Sequence, residues 1–131
     1  MTYAVAGLVA AAFVGVLVTV AGALWTNPRP FVVDGVAPLI AHPADNGFPS
    51  DHTALGFAVA GVVTWFDRRL GVVALVLAAL LGVCRVLAHV HHVPDVVGGA
   101  LVGLLAAALG VLGARVATAL WDRARLGTAS S

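Results

Sequence analysis

Five polar sites interrupt the otherwise apolar sequence. The run Pro49–His52 opens one apolar segment, Arg29 follows another, and Arg85, His91 and Asp95 stand near the end of a third and the start of a fourth. Polar groups at the boundary of a membrane segment cost free energy unless they are paired or functional. Their residue types therefore need a common explanation.

These residue types are suited to phosphoryl chemistry. Two arginines beside a helix N-terminus, with its free N–H groups and positive dipole end, form a phosphate site. His52 and His91 can supply a nucleophile or base and an acid, and Asp95 stands four positions after His91. The combination predicts phosphoryl transfer at one membrane surface.

Each residue also has a simpler interpretation. Arg29 can be an interfacial anchor, and Ser50 with Asp51 can cap a helix. A metal site formed by His89, His91, His92 and Asp95 is a further alternative. Arg85 is the residue that a purely structural role explains least well, because a guanidinium inside a span needs an anionic partner. The simpler interpretations fail when the residues are taken together.

The composition indicates a membrane protein. Of 131 residues, 61% are hydrophobic and 10% are charged, with a net charge of +1. This balance, without a dense basic run, argues against a nucleic-acid partner. The single Cys84 cannot form an internal disulfide. The length allows one membrane-embedded domain, residues 1–131, of about four spans.

Four apolar segments predict an all-α, integral membrane helical bundle. The charge-free first segment is interpreted as a retained span rather than a cleaved signal. Five of the six prolines lie in the one long loop and are expected to keep it extended, without a regular helix. The chain after residue 121 is expected to be frayed. The predicted spans are about 3–25, 50–66, 70–88 and 94–120, with the long loop at 26–49.

Arginine placement predicts the orientation. Five of the seven arginines fall on one face, in the turn after the second span and in the last part of the fourth span or beyond it. The positive-inside rule then places both termini in the cytoplasm of a multi-pass plasma-membrane protein and the loop outside.

The pattern Gly99-x-x-x-Gly103 favours close helix packing, and a second copy could fill an exposed flank to give a homo-oligomer.

At the polar sites the chain resembles the type 2 phosphatidic acid phosphatase superfamily of integral-membrane lipid phosphate phosphatases. The family's three motifs are K, six residues, R-P; then P-S-G-H; then S-R, five residues, H, three residues, D. Here they read Arg29-Pro30, then Pro49–His52, then Cys84-Arg85 followed by His91 and Asp95. The stretch from Asn27 to His52 is most similar to the bacterial undecaprenyl diphosphate phosphatase branch.

The resemblance implies a role for each residue. His91 would attack phosphorus and become a phosphohistidine, Asp95 would orient it, and His52 would protonate the leaving oxygen. Substrate would be bound by Arg29, Ser50, Arg85 and backbone N–H groups near Asp51. No metal and no other cofactor is implied.

The sequence departs from the family pattern at three positions and in length. The family lysine falls at Gly22, Asp51 replaces a glycine, and Cys84 replaces a serine. The family fold has six spans, and the two before the first motif are reduced here to one.

The expected function is hydrolysis of a polyprenyl diphosphate to its monophosphate on the outer face, recycling the lipid carrier of cell-wall synthesis. The partners are then a polyprenyl or other lipid phosphate and the bilayer. Alternatives are a phosphatase for phosphatidylglycerophosphate or another phospholipid, a catalytically inactive helix-packing subunit, and a histidine-rich metal-binding or transport element.

Overall fold

The described part of the chain, residues 2–128 of a computed structural model, is helical and contains no sheet. This confirms the predicted all-α bundle. The elements, in chain order, are α1 (Thr2–Leu24), α2 (Pro30–Asp34), α3 (Asp51–Phe66), α4 (Arg68–Leu87) and α5 (Val93–Thr128).

Three of the helices have the length and apolar composition to cross a membrane. They are α1, α4 and α5, with candidate spans at Tyr3–Leu24, Arg68–Leu87 and Val93–Arg125. The helix at the predicted second span, α3, has 16 residues. Its rise is about 24 Å, less than the ~30 Å of a hydrocarbon core. Four helices therefore form the bundle, and one of them is shorter than the others.

Two local expectations about regular structure were wrong. The long loop contains the short helix α2, because Pro30 stands at the first helical position, where a missing N–H costs nothing. The helix ends at Asp34, and its C-cap Gly35 has a φ of 73°, a left-handed conformation that glycine adopts without strain. The chain after residue 121 continues α5 as far as Thr128, and residues 129–131 of the predicted frayed tail lie outside the described residues.

Glycines set the distance between α3 and α5. A Cβ on Gly99 would overlap the carbonyl oxygen of Ser50, and one on Gly103 would overlap that of Ala54. The two backbones can approach this closely only because neither glycine has a side chain. The beginning of α3 therefore lies directly against the second and third turns of α5, which brings Ser50 and Asp95, 45 positions apart, into one site.

The remaining helices pack around this pair. Helix α1 packs against α5 and also against α3, whereas α4 packs chiefly against α3 and touches α5 little. The long loop closes one end of the bundle, where the Leu39 N–H donates to the carbonyl of Ala88 at 3.1 Å. The polar residues of the sequence motifs lie at this end.

Candidate functional site

The side chain at the centre of the closed end is Asp95, which has no exposed surface. Its Oδ1 accepts a hydrogen bond from Asn27 Nδ2 at 2.7 Å, and its Oδ2 accepts one from the His92 N–H at 2.8 Å. Its backbone carbonyl accepts the Ser50 N–H at 2.9 Å. One residue of α5 thereby binds the beginning of the long loop, the N-cap of α3 and the N-terminus of its own helix.

His91 lies against this carboxylate and is 1% exposed. Its Nδ1 is 3.5 Å from Asp95 Oδ2, and its Nε2 is 3.3 Å from Arg29 Nη1. A guanidinium can only donate, so Nε2 must carry the lone pair and the ring proton belongs on Nδ1, facing the carboxylate. The Nδ1 contact is longer than a good hydrogen bond, as catalytic contacts often are before substrate binds.

The surroundings of His91 oppose its protonation. Burial, followed by the positive charges of Arg29 and Arg85, lowers its pKa to about 4, although Asp95 acts in the opposite direction. An ordinary histidine has a pKa of about 6.5. The ring is therefore neutral at physiological pH, with a lone pair on Nε2, which is the state a nucleophile requires.

Two buried arginines flank the ring and differ in their partners. Arg29 is held by Asp45, whose Oδ1 is 2.7 Å from its Nε, and by the Val90 carbonyl, 2.9 Å from its Nη1. Arg85 has two buried nitrogens, Nε and Nη2, with no hydrogen-bond partner within residues 2–128. A buried guanidinium with unused donors is strongly disfavoured unless an anion binds it.

The start of α3 forms another wall of the site. Ser50 is the N-cap, and its fully buried Oγ accepts from Thr53 N at 3.5 Å and contacts Thr53 Oγ1 at 3.0 Å. The capping interpretation of Ser50 is therefore confirmed, and its hydroxyl proton remains available to an anion. Capping and anion binding are compatible at the same residue.

His52 and Asp51 are exposed and contact each other. The Asp51 carboxylate accepts from the His52 N–H and lies 2.8 Å from His52 Nδ1. No contact joins the His52 ring to His91 among the described residues. The structure brings five of the seven predicted site residues together in buried positions, and these two lie on the exposed rim.

The two other histidines of the third motif have separate partners. His89 Nε2 is 2.8 Å from Asp34 Oδ2, and His92 Nε2 is 3.2 Å from the carbonyl of Pro28. The described residues contain no group of three or more His, Cys, Asp or Glu side chains that could hold a metal. His89, His91 and His92 thus join the connection between α4 and α5 to the long loop at three different places.

Sequence reasoning missed the loop residues that support the site. Asn46 Oδ1 accepts the N–H groups of Asn27 and Phe48, and its Nδ2 donates to the carbonyls of Gly22 and Trp25. Asn27 in turn reaches Asp95. Asn27 precedes a proline and Asn46 precedes a glycine, which predicts turns. No local signal relates Asn27 to a carboxylate 68 positions away.

Two of the three departures from the family motifs, at Gly22 and Cys84, have a visible local setting. A Cβ on Gly22 would meet the Phe48 carbonyl oxygen at 3.1 Å and Asn46 Nδ2 at 3.5 Å. A long side chain at position 22 therefore has little room, and the positive charge of the family lysine is absent from this position. Cys84 is exposed, so the replacement of the family serine falls outside the buried polar cluster.

The low pKa of His91 can be observed directly. In ¹⁵N-histidine NMR spectra of detergent-solubilised protein at about pH 5.5, the ring should remain neutral with its proton on Nδ1, since it titrates well below the ordinary value of about 6.5. The His91→Gln variant identifies the signal. Inorganic phosphate should raise the midpoint, because an anion offsets both guanidinium charges. A midpoint near 6.5 without phosphate would contradict this description of the site.

Comparisons with known proteins agree with this geometry. The model of the PAP2 superfamily matches residues 3–119. The chain is 41% identical over 106 residues to the bacitracin transport permease protein BcrC of Bacillus licheniformis, covering 80% of this chain and 51% of that protein. It is 34% identical over 82 residues to undecaprenyl-diphosphatase BcrC of Bacillus subtilis (strain 168), covering 63% of this chain and 42% of that protein.

A solved structure gives the same result. The crystal structure of Aquifex aeolicus LpxE superposes with a TM-score of 0.76 at 27% identity, covering 83% of this chain and 67% of that chain. The chain spans about half the length, or less, of the curated relatives it matches. Its motifs, its helical fold and the family match together show that it belongs to the PAP2 superfamily.

Proposed function

We propose that this chain hydrolyses a polyprenyl diphosphate of the undecaprenyl type to the monophosphate and inorganic phosphate, through a phosphohistidine at His91. The observation that carries the proposal is the unsatisfied guanidinium of Arg85 beside a neutral, buried His91. A terminal phosphate would supply the anion that Arg85 lacks. One relative is named an undecaprenyl-diphosphatase, which favours this lipid class.

In the first step the Nε2 lone pair of His91 attacks the terminal phosphorus, and the bond from that phosphorus to the bridging oxygen breaks. The leaving polyprenyl monophosphate takes a proton from His52. Asp95 lies beside the Nδ1–H and stabilises the positive charge that develops on the ring, as in other His–Asp pairs. In the second step water, deprotonated by His52, attacks phosphorus, and inorganic phosphate leaves Nε2.

The phosphoryl oxygens would be bound by Arg29, Arg85, the Ser50 hydroxyl and N–H groups near Asp51. Arg29 is held by the exposed carboxylate of Asp45 and by the Val90 carbonyl, so it can turn toward phosphate at the expense of a solvent-accessible ion pair. Two guanidinium groups can offset the charge of the transferring phosphoryl group. We therefore propose that the reaction needs no metal and no other cofactor.

The proposal is tested by phosphate release from undecaprenyl diphosphate by the purified chain, with and without a chelator. Release should be unaffected by the chelator and lost in His91→Ala. Phosphatidylglycerophosphate, assayed in parallel, tests the alternative substrate and should be turned over more slowly. No release from either lipid by correctly folded protein would favour a catalytically inactive subunit, and loss of activity with chelator would favour a metal site.

The roles proposed for His91 as nucleophile and His52 as general acid can be tested by comparing their alanine variants. His91→Ala removes the covalent route for every substrate. His52→Ala removes a proton donor, a contribution of about 10²- to 10⁴-fold. With a nitrophenyl phosphate, whose leaving group departs as a stable anion, His52→Ala should recover much of its first-step rate, while His91→Ala should not. Equal losses in both variants with both kinds of substrate would show that His52 is not the acid.

We also propose that the site faces the extracytoplasmic side and that both termini are cytoplasmic. This rests on the five arginines at the opposite end of the bundle, according to the positive-inside rule. In a Cys84→Ala background, a cysteine at the exposed Val36 should react with an impermeant thiol reagent added to intact cells, and one at Asp122 should react only after lysis. The opposite labelling would place the site in the cytoplasm and remove the cell-wall role.

A further inference from the structure

A cavity lies at the end of the bundle opposite His91. It has a volume of about 670 Å³ and opens between α3, α4 and α5, where α4 diverges from α5. Arg68, at the start of α4, and Arg115, late in α5, lie on its wall together with Trp65. The proposed phosphatase site uses none of these residues.

Arg68 and Arg115 are positive groups that have no carboxylate partner in the part of the chain that the structure describes. Within residues 2–128, no Asp or Glu oxygen is within ion-pair distance of Arg68 or Arg115. The Arg115 guanidinium instead lies over the Trp65 ring, 4.6 Å from its centroid. Such stacking fixes a guanidinium while leaving its N–H groups free for an anion. The cavity mouth is thus a fixed cationic site at the level of an aromatic interfacial residue.

Below the arginines the cavity is apolar. Its walls include Leu75, Leu104 and Leu112, and its floor is formed where Gly61 meets Ala107. Leu75 is about 10 Å along α4 from Arg68, and Leu104 is about 16 Å along α5 from Arg115. These lengths match the ~15 Å depth of one leaflet of a ~30 Å hydrocarbon core. A charged mouth above an apolar slot of one-leaflet depth has the shape of a single lipid.

We propose that this cavity binds an anionic phospholipid, with its phosphate between Arg68 and Arg115 and one acyl chain between α4 and α5. Basic pockets between transmembrane helices bind anionic headgroups in this way. The lipid would fill the gap that α4 leaves against α5 and so hold α4, which carries Arg85, in place. This site is separate from the proposed phosphatase site and does not depend on it.

Native mass spectrometry in a nonionic detergent can test the site with phosphatidylglycerol and phosphatidylcholine of identical acyl chains. The wild-type chain should retain one phosphatidylglycerol in preference to phosphatidylcholine. Removing one guanidinium should weaken retention by roughly fivefold, and Arg68→Gln with Arg115→Gln by more than tenfold. The matched control is Arg69→Gln, which removes the same charge from the neighbouring residue outside the cavity and should bind as wild type does.

A second variant separates the slot from the charge. Ala108→Phe fills the cavity from its wall while leaving both arginines in place, and it should also lose the bound lipid. Equal binding of the two headgroups, or unchanged phosphatidylglycerol binding in the double arginine variant or in Ala108→Phe, would overturn the proposal. So would a lipid-free dimer whose cross-links map to Leu75 and Leu112, because a second copy would then occupy the cavity. Phosphate release from undecaprenyl diphosphate, measured on the same samples, reports independently on the phosphatase proposal.

Discussion

A carboxylate without exposed surface must be surrounded by donors, and Asp95 meets this requirement with groups from separate parts of the chain. The Asn27 amide and the His92 N–H bind its two oxygens, and its backbone carbonyl receives the Ser50 N–H. Losing any one donor would leave a buried charge undersatisfied, which is among the costlier defects in a protein. The positions of the loop, α3 and α5 are therefore linked through one residue, and His91 is placed against the same carboxylate.

This arrangement depends on helix packing as well as on hydrogen bonding. Ser50 can reach Asp95 only because Gly99 and Gly103 let the α3 backbone lie directly on α5. Asn46 holds the end of α1 and the residue before Pro49 at once, so it fixes the position from which Asn27 donates. The apolar packing of the bundle thus determines where the polar groups meet, and the polar groups determine how the loop closes over them.

Much of the fold was predictable from the sequence because it depends on long apolar segments. Segment composition gave the four helices of the bundle with ends within a few residues of those observed, apart from the extension of α5. The sequence predicts that Arg29, Ser50, His52, Arg85, His91 and Asp95 lie at one face, because alternate crossings of a membrane return to the same face. Five of them are buried together, whereas His52 lies on the exposed rim. The chemical roles of all six stay predictions.

Other features were not predictable, for identifiable reasons. Helix α2 forms because Pro30 occupies a first helical position, whereas prolines in a loop usually indicate extended chain. The contacts of Asn27 and Asn46 are long-range and leave no periodic signal. The cavity lined by Arg68 and Arg115 depends on the divergence of α4 from α5, and a sequence pattern does not encode an angle between helices. Each of these features depends on contacts between parts of the chain that are far apart in sequence, and residue propensities do not determine such contacts.

Turnover should proceed through a covalent bond between Nε2 of His91 and phosphorus. This bond can be detected by stopping the reaction with undecaprenyl diphosphate at alkaline pH, digesting the protein and mapping phosphate by peptide mass spectrometry. We expect an alkali-stable, acid-labile phosphate on the peptide that contains His91, and a larger amount of it in His52→Ala with a nitrophenyl phosphate. Turnover with phosphate on another residue, or with no phosphorylated protein under either condition, would contradict this expectation.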